Sequence, residues 1–419
     1  MSDTIILGGG IAGLGAYYKA TQLNKDAVIY EKNSELGGLL ANFSINGFRF
    51  DNAVHFSFTE IPVVRKIFDK TEVNCHKPNA YCFDRGYWLK HPIQNNLFPL
   101  PTEEKLRLIK GFINRPENKP NNYSEWLEHQ YGKEISEAYP KKYTQKYWCL
   151  NASQLSTTWI GNRMRRAEID EILRGSLEKR DDNHYYAKEM RYPKSGGYFE
   201  FIRQLADSSN HKLNKKAILI DPTVKEVRFS DGEVTSYNTL ISSLPLPVVC
   251  KLIKDCPQEV LNAANSLLWT SVDLISIGFN KKDIPPYLWY YIYDEDNVAA
   301  RAYSPSLKSS DNVPEGKSSL QFEVYNLSIS EPLDPDVLKR NIVEKLLENE
   351  ICTADDILFV HHKNIEFGNV IFDIGMESRR QIVLDYLDTL DIKTCGRFGE
   401  WEYFWSDQSF LSGFNALND

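Results

Sequence analysis

No run of about 18 consecutive apolar residues occurs in the chain, so no segment has the character of a membrane-spanning helix. Cysteine is sparse. The seven, Cys75, Cys82, Cys149, Cys250, Cys256, Cys352 and Cys395, are odd in number and form no C-x-x-C pair, which excludes a disulfide scaffold and the common zinc and dithiol motifs and points to reduced thiols in a cytoplasmic protein. Basic charge is not in excess either. Lys and Arg number 49 against 57 Asp and Glu, a net charge of −8, and phosphate-backbone binding needs clustered cations, so a generic nucleic-acid binder is excluded. With 19 Pro and 23 Gly the chain is too poor in both for a collagen-like or disordered protein. Residues 5–16 are apolar and small, but Asp3 precedes them without any Lys or Arg, so they read as part of the fold and not as a secretory leader.

What is present suits a chain of 419 residues with two or three domains and a core large enough to enclose a ligand. Residues 5–7 predict a strand, the glycines after them a turn, and 11–23 a helix. A second buried strand spans 27–30 and is closed by Glu31. Residues 43–45 and 48–50 alternate around Asn46-Gly47, the pair that tolerates a type I′ hairpin turn. From 61 to 180 the pattern is largely helical, with short strands at 80–83 and 87–90. Beyond Gly196-Gly197 a helix (198–205) and strands (217–220, 225–229, 239–242) restore the α/β rhythm. Strands at 271–279, 288–293 and 320–325 follow, with helices at 334–349 and 378–387. The fold class is therefore α/β: a Rossmann-like domain in three parts (1–60, 190–250 and 385–419), interrupted by a largely helical substrate insertion (61–189) and a β-rich substrate region (251–384).

Gly8-Gly9-Gly10-Ile11-Ala12-Gly13 matches G-x-G-x-x-G between a strand and a helix. Gly8 suits the tight turn, Gly10 the approach of a pyrophosphate, and Gly13 close helix packing, while the helix N-terminus favours negative charge. Glu31, at the close of the second strand, stands where a carboxylate accepts from ribose hydroxyls. This fingerprint alone serves NAD and FAD equally. No second copy occurs, which argues against a built-in NAD(P)H domain.

The residues that follow resemble the glutathione-reductase-type flavoproteins of the amine oxidase group. Glu31-Lys32-Asn33-Ser34-Glu35-Leu36-Gly37-Gly38-Leu39 is similar to the second half of their FAD signature, and Phe48-Arg49-Phe50-Asp51 with His55 to their segment leading to the flavin. Residues 221–229 resemble a second FAD strand, 239–253 with Ser242-Ser243-Leu244-Pro245 a strand, turn and helix, and Gly396-Arg397-Phe398-Gly399 the C-terminal flavin motif. The resemblance implies noncovalent FAD, with Gly37, Gly38 and Arg397 beside it and the helix opening near Asp407 and Gln408 aimed at the flavin end.

Tyr143-Thr144-Gln145-Lys146-Tyr147-Trp148, with Leu155 and Arg163, further resembles the substrate region of UDP-galactopyranose mutases. Those enzymes interconvert pyranose and furanose forms of a nucleotide sugar in cell-surface polysaccharide biosynthesis, with reduced flavin N5 as nucleophile. The resemblance implies Tyr143 and Trp148 at the uridine, Arg163 (with Arg165 and Arg166 beside it) and Arg301 at the diphosphate, and Tyr403 at a phosphate. It also implies Tyr185 or Tyr186 as a further substrate contact. His55 joins the two arginines as a catalytic candidate beside the flavin. An external reductant is implied, and the oligomeric state is left open. Two positions depart from the pattern: the family's Gly-Pro before the His is Ala53-Val54, and its acid two residues after the C-terminal Tyr is Trp405. The alternative reading is an FAD-dependent oxidase or desaturase of the amine oxidase or protoporphyrinogen oxidase type, which carries the same FAD motifs.

Overall fold

The structure is a computed structural model that describes residues 3–161, 164, 167–180 and 189–418. Its first layer is a five-stranded parallel sheet in the order Ile392–Thr394, Thr239–Ser242, Thr4–Leu7, Ala27–Tyr30 and His211–Lys212. The inner strands Thr4–Leu7 and Ala27–Tyr30 are apolar at nearly every position because both faces are covered, whereas the outer His211–Lys212 and Ile392–Thr394 are mostly polar. Ile5 and Leu7 pack with Val28, Tyr30 and Leu240 on one face, whereas Ile6 packs with Ala27, Ile29 and Ile241 on the other. Helix Ile11–Gln22 makes the first crossover and lies against the C-terminal helix Ser406–Asn415. A Cβ on Gly413 would fall 1.8 Å from the Ala12 carbonyl oxygen, so these two helices touch backbone to backbone.

On the opposite face, Ala217–Asp221, Glu226–Phe229 and Val234–Ser236 form an antiparallel sheet, with Phe229 stacked 4.4 Å from Tyr30. The segment 221–229 is thus a turn and a strand of this small sheet.

The second main layer is a seven-stranded sheet in the order Ile357–Val370, Trp269–Phe279, Ser318–Leu327, Arg301–Tyr303, Trp289–Ile292, Ala80–Asp84 and Tyr87–Lys90. The last two strands come from the otherwise helical stretch and pair antiparallel, and Trp289–Ile292 joins Ala80–Asp84 in parallel. One face is sealed by helix Pro335–Glu348 through Leu338, Ile342 and Leu346. The other face meets the helices Thr102–Ile113, Tyr123–Tyr131, Lys133–Ala138 and Pro140–Trp148, and roofs a cavity.

Several elements lie outside the sequence expectations, among them the outer parallel strands His211–Lys212 and Ile392–Thr394. Ile357–Val370 reads as polar, with His361, His362, Lys363 and Asn364 in succession, because it is an edge strand whose residues are mostly half-buried. Arg301–Tyr303 is a very short strand, and Val73–His76 pairs with Met190–Pro193 from the far end of the helical stretch. All seven cysteines are free. Among the described residues no helix is long and apolar enough to cross a membrane, and no group of His, Cys, Asp and Glu could hold a metal ion.

Candidate active site

The C-terminal ends of the parallel strands and the inner face of the seven-stranded sheet enclose one continuous cavity of about 1310 Å³. Strand Thr4–Leu7 delivers Gly8 and Gly10 to it, Ala27–Tyr30 delivers Glu31, Thr239–Ser242 delivers Ser243, and Ile392–Thr394 delivers Arg397. This is the edge at which open parallel sheets bind ligands.

The glycines of the fingerprint have three separate causes. Gly8 has φ +99°, and a Cβ there would sit 2.3 Å from Ser243 Oγ. A Cβ on Gly13 would meet the Gly8 carbonyl oxygen at 2.0 Å. Gly10, in contrast, has an ordinary φ of −75° and nothing within 4 Å of a Cβ. No protein atom requires glycine at position 10, and the space a side chain would fill opens into the cavity at the helix N-terminus, which is where a pyrophosphate fits. Gly37 and Gly38, both at positive φ, bring the chain back beside it, with a Cβ on Gly38 only 3.3 Å from Gly10 Cα.

Glu31 is buried, and its two carboxylate oxygens accept from Gly9 N at 2.7 Å and Asn33 N at 2.9 Å. Each oxygen keeps a lone pair for a hydroxyl. Asp407, also buried, lines the cavity in the first turn of Ser406–Asn415 and accepts from Gln408 N at 2.9 Å. Arg397 donates through Nε to the Phe404 carbonyl at 2.8 Å and through a terminal nitrogen to Asn369 Oδ1 at 3.2 Å, with Tyr403's ring 5.4 Å away.

His55 lines the cavity from the turn after strand Phe48–Asp51, stacked on Tyr198 at 5.0 Å. Burial is the main cause that lowers its pKa to about 4, assisted by Lys308 and Arg397 against Asp51 and Glu323. The ring is therefore neutral at pH 7. Its Nδ1–H donates to the Ala53 carbonyl at 3.1 Å, which leaves Nε2 as an acceptor. Ala53 itself has φ +102°, the conformation that the expected glycine would adopt without strain.

Helix Pro140–Trp148 presents Tyr143, Tyr147 and Trp148 to the cavity. Tyr143 is stacked on Tyr147 at 5.5 Å, and Trp148 lies 5.4 Å from Tyr403. Arg301 faces them from its strand, over the Tyr147 ring at 5.4 Å. Directly across the ladder is Glu323, fully buried, which accepts from Arg301 Nε and from the Tyr325 hydroxyl, while Arg301 also reaches that hydroxyl at 3.2 Å. Burial would raise the Glu323 carboxyl, but Arg301 and Tyr325 hold it below the usual range. Burial pushes Tyr143, Tyr147 and Tyr325 well up, so all three remain protonated donors.

Tyr147, Glu323 and Tyr325 are site residues that sequence reasoning missed. Tyr147 follows Tyr143 by one helical turn on the same face, and Gln321, Glu323 and Tyr325 alternate with Leu320, Phe322 and Val324. That alternation has the form of a strand with one solvent-facing side, yet both faces are buried. Of the sequence candidates, the cavity gathers Gly8, Gly10, Glu31, Gly37, Gly38, His55, Tyr143, Trp148, Arg301, Arg397, Tyr403 and Asp407. Gly13 packs beneath the fingerprint turn, and Arg163 and Tyr185 lie outside the described residues.

The family model for the NAD(P)-binding Rossmann-like domain matches residues 6–71. Among solved structures, a reduced UDP-galactopyranose mutase is 28% identical, with a TM-score of 0.92 over 99% of this chain and 94% of that one. An Exiguobacterium sp. 255-15 protein assigned as a protoporphyrinogen oxidase is 17% identical, with a TM-score of 0.75 over 99% of this chain and 97% of its own. A putrescine oxidase redesigned in its cofactor binding is 13% identical, with a TM-score of 0.66 over 99% and 97%. At those identities the two oxidases share the fold. In both sequence and fold, over nearly its whole length, the chain is UDP-galactopyranose mutase-like.

Proposed function

We propose that the chain is an FAD-dependent nucleotide-sugar mutase, interconverting the pyranose and furanose forms of UDP-galactose or a close relative in the cytoplasm, for cell-surface polysaccharide synthesis. The observation that carries the reading is one cavity holding both a vacant-sided glycine cradle at Gly10 and, facing the aromatic helix, the cation Arg301. The fit for FAD rests on Gly10, on the free lone pairs of Glu31, and on two helix N-termini, Ile11–Gln22 and Ser406–Asn415, meeting the same space.

When bound and reduced, FAD supplies at N5 the nucleophile for the anomeric carbon. Tyr143 and Trp148 give the nucleobase an aromatic platform. Arg301, with Arg163 from the sequence pattern, neutralises the diphosphate as it leaves and as it returns. The hydroxyl of Tyr403 donates to a phosphate oxygen, while the Tyr325 hydroxyl, committed to Glu323, holds the carboxylate that orients Arg301. Neutral His55 offers Nε2 as an acceptor at the flavin side, and Arg397 braces Tyr403 and Asn369. The missing second dinucleotide fingerprint supports an external reductant.

One observation favours the oxidase reading: Trp405, at the family's acidic position, packs edge-on against Phe58 at 4.7 Å and makes that part of the cavity wall aromatic. The test is to incubate purified protein with dithionite and UDP-galactose or related nucleotide sugars. The expected result is furanose product that requires the reductant and consumes no electron acceptor. Absence of furanose, with substrate bleaching the oxidised flavin and peroxide forming in air, would establish the oxidase instead.

A further inference from the structure

Behind the His55 wall lies an ion pair with no direct part in the proposed chemistry. Lys308 is wholly buried at 0% exposure, and Nζ donates to Asp51 Oδ2 at 3.2 Å. The ammonium is caged by the rings of Tyr303 at 4.1 Å, Tyr192 at 4.9 Å and Phe56 at 5.1 Å. A buried lysine of this kind is costly unless its partner is fixed, and Asp51 is fixed from every side. Its carboxylate also accepts from the Tyr192 hydroxyl at 2.8 Å and Tyr198 N at 3.0 Å, and its carbonyl accepts from the Tyr303 hydroxyl at 3.2 Å and Ala53 N at 2.9 Å.

These bonds lead in two directions. Tyr198 carries the ring on which His55 stacks, and its hydroxyl lies 3.0 Å from Ser406 Oγ, at the start of the C-terminal helix. Tyr303 shares its short strand with Arg301. The strained turn between them is tied down again where Val54 N donates to Glu323 Oε1 at 2.9 Å. We propose that Lys308 is a positioning residue, which through Asp51 holds the turn bearing His55 and couples it to the strand bearing Arg301. In doing so it also balances the carboxylate charge behind the flavin side of the cavity. The charged groups facing His55 are Asp51, Lys308, Arg397 and Glu323. Lys308 therefore opposes Asp51, and loss of either leaves the other uncompensated beside the cofactor.

The proposal rests on the FAD reading and not on mutase chemistry. In the FAD-loaded protein at pH 6, Lys308→Met should make the flavin midpoint potential more negative, because an unbalanced carboxylate disfavours the electron-rich reduced ring. Asp51→Asn should move it in the positive direction, and the double variant should return close to the parent. A role in packing alone would move both single variants the same way or neither. Opposite shifts support the proposal; equal or absent shifts overturn it, and if Lys308→Met does not fold, Asp51→Asn alone decides by the sign of its shift. A second arm needs no cofactor. The His55 pKa followed by NMR titration of the apoprotein should rise in Lys308→Met and should not rise in Asp51→Asn, and an unchanged titration in both overturns the charge balance even if FAD binding itself proves misassigned.

Discussion

Gly10 shows how an empty place beside a residue can carry information. Because its φ is ordinary and its missing Cβ would touch nothing, Gly10→Val should leave the apoprotein's melting temperature within about 2 °C of the parent while abolishing FAD retention. Flavin absorbance of the purified variant beside its thermal melt separates the two effects. Ala53 is the converse. It occupies a positive φ that a Cβ resists, so Ala53→Gly should stabilise the protein by about 1 kcal/mol in urea unfolding, the relief of strain exceeding the added chain entropy. Arg301 has two duties that a single substitution confounds. Arg301→Ala should weaken UDP binding by about 1.5–3 kcal/mol in calorimetry, the range for a lost charge-assisted bond. It should also lower stability, since it strands the fully buried Glu323. Adding Glu323→Gln should restore the melting temperature and leave UDP binding weak. The sequence made Gly8, Gly10 and Glu31 legible because each obeys a local rule of spacing. Glu323 was illegible because its meaning comes from Arg301, which lies on another strand, directly opposite across the ladder.

Among the elements, helix Pro140–Trp148 depends on one lysine for its place against the sheet. Lys146 Nζ donates to three carbonyls, Ile292 at 3.1 Å, Asp294 at 2.6 Å and Ala299 at 3.0 Å, all at or near the strands that carry Tyr291 and Arg301. Burial lowers its pKa to about 8, against the pull of Asp294, Asp296 and Glu295. Lys146→Met removes the shared donor, and at about 1–3 kcal/mol for each buried group left unsatisfied it should cost several degrees of melting temperature. UDP affinity should fall with it, since the helix also bears Tyr143 and Trp148, while flavin content stays at the parent level. That Lys146 is such a staple could not be read from Tyr-Thr-Gln-Lys-Tyr-Trp, where a lysine on a helix reads as a solvated face. The inner parallel strands Thr4–Leu7, Ala27–Tyr30 and Thr239–Ser242 were legible because burial on both faces leaves apolar runs, whereas the short, polar outer strands His211–Lys212 and Ile392–Thr394 were not. Ile357–Val370 was not, because an edge strand beside a cavity tolerates the polar residues that sequence reasoning assigns to loops.

Over the whole molecule, two half-buried histidines in the cavity wall set an acid limit. His55 and His91 both have pKa values lowered to about 4, chiefly by burial. The unfolded chain binds these protons near pH 6.5 while the folded protein refuses them until about pH 4, so their contribution to stability is complete above about 6.5 and is lost as pH falls through that window. Urea midpoints of the apoprotein measured from pH 7 to pH 4 should decline, and His91→Gln should flatten part of the decline. The parallel sheet has a further consequence for how the protein is made. Its central strand, Thr4–Leu7, is separated from its partner Thr239–Ser242 by the whole helical insertion, and that partner from the outer strand Ile392–Thr394 by the whole β-rich region. The strand Ala80–Asp84, paired locally with Tyr87–Lys90, likewise waits for its second neighbour Trp289–Ile292. A nascent chain on the ribosome therefore carries apolar strands with one edge still open, since only the local partners Ala27–Tyr30 and Tyr87–Lys90 are at hand until the distant ones are made. High contact order of this kind makes folding slow and leaves the incomplete chain open to aggregation. Chaperone occupancy during synthesis, and a refolding yield that falls steeply with protein concentration, are what such a connectivity imposes.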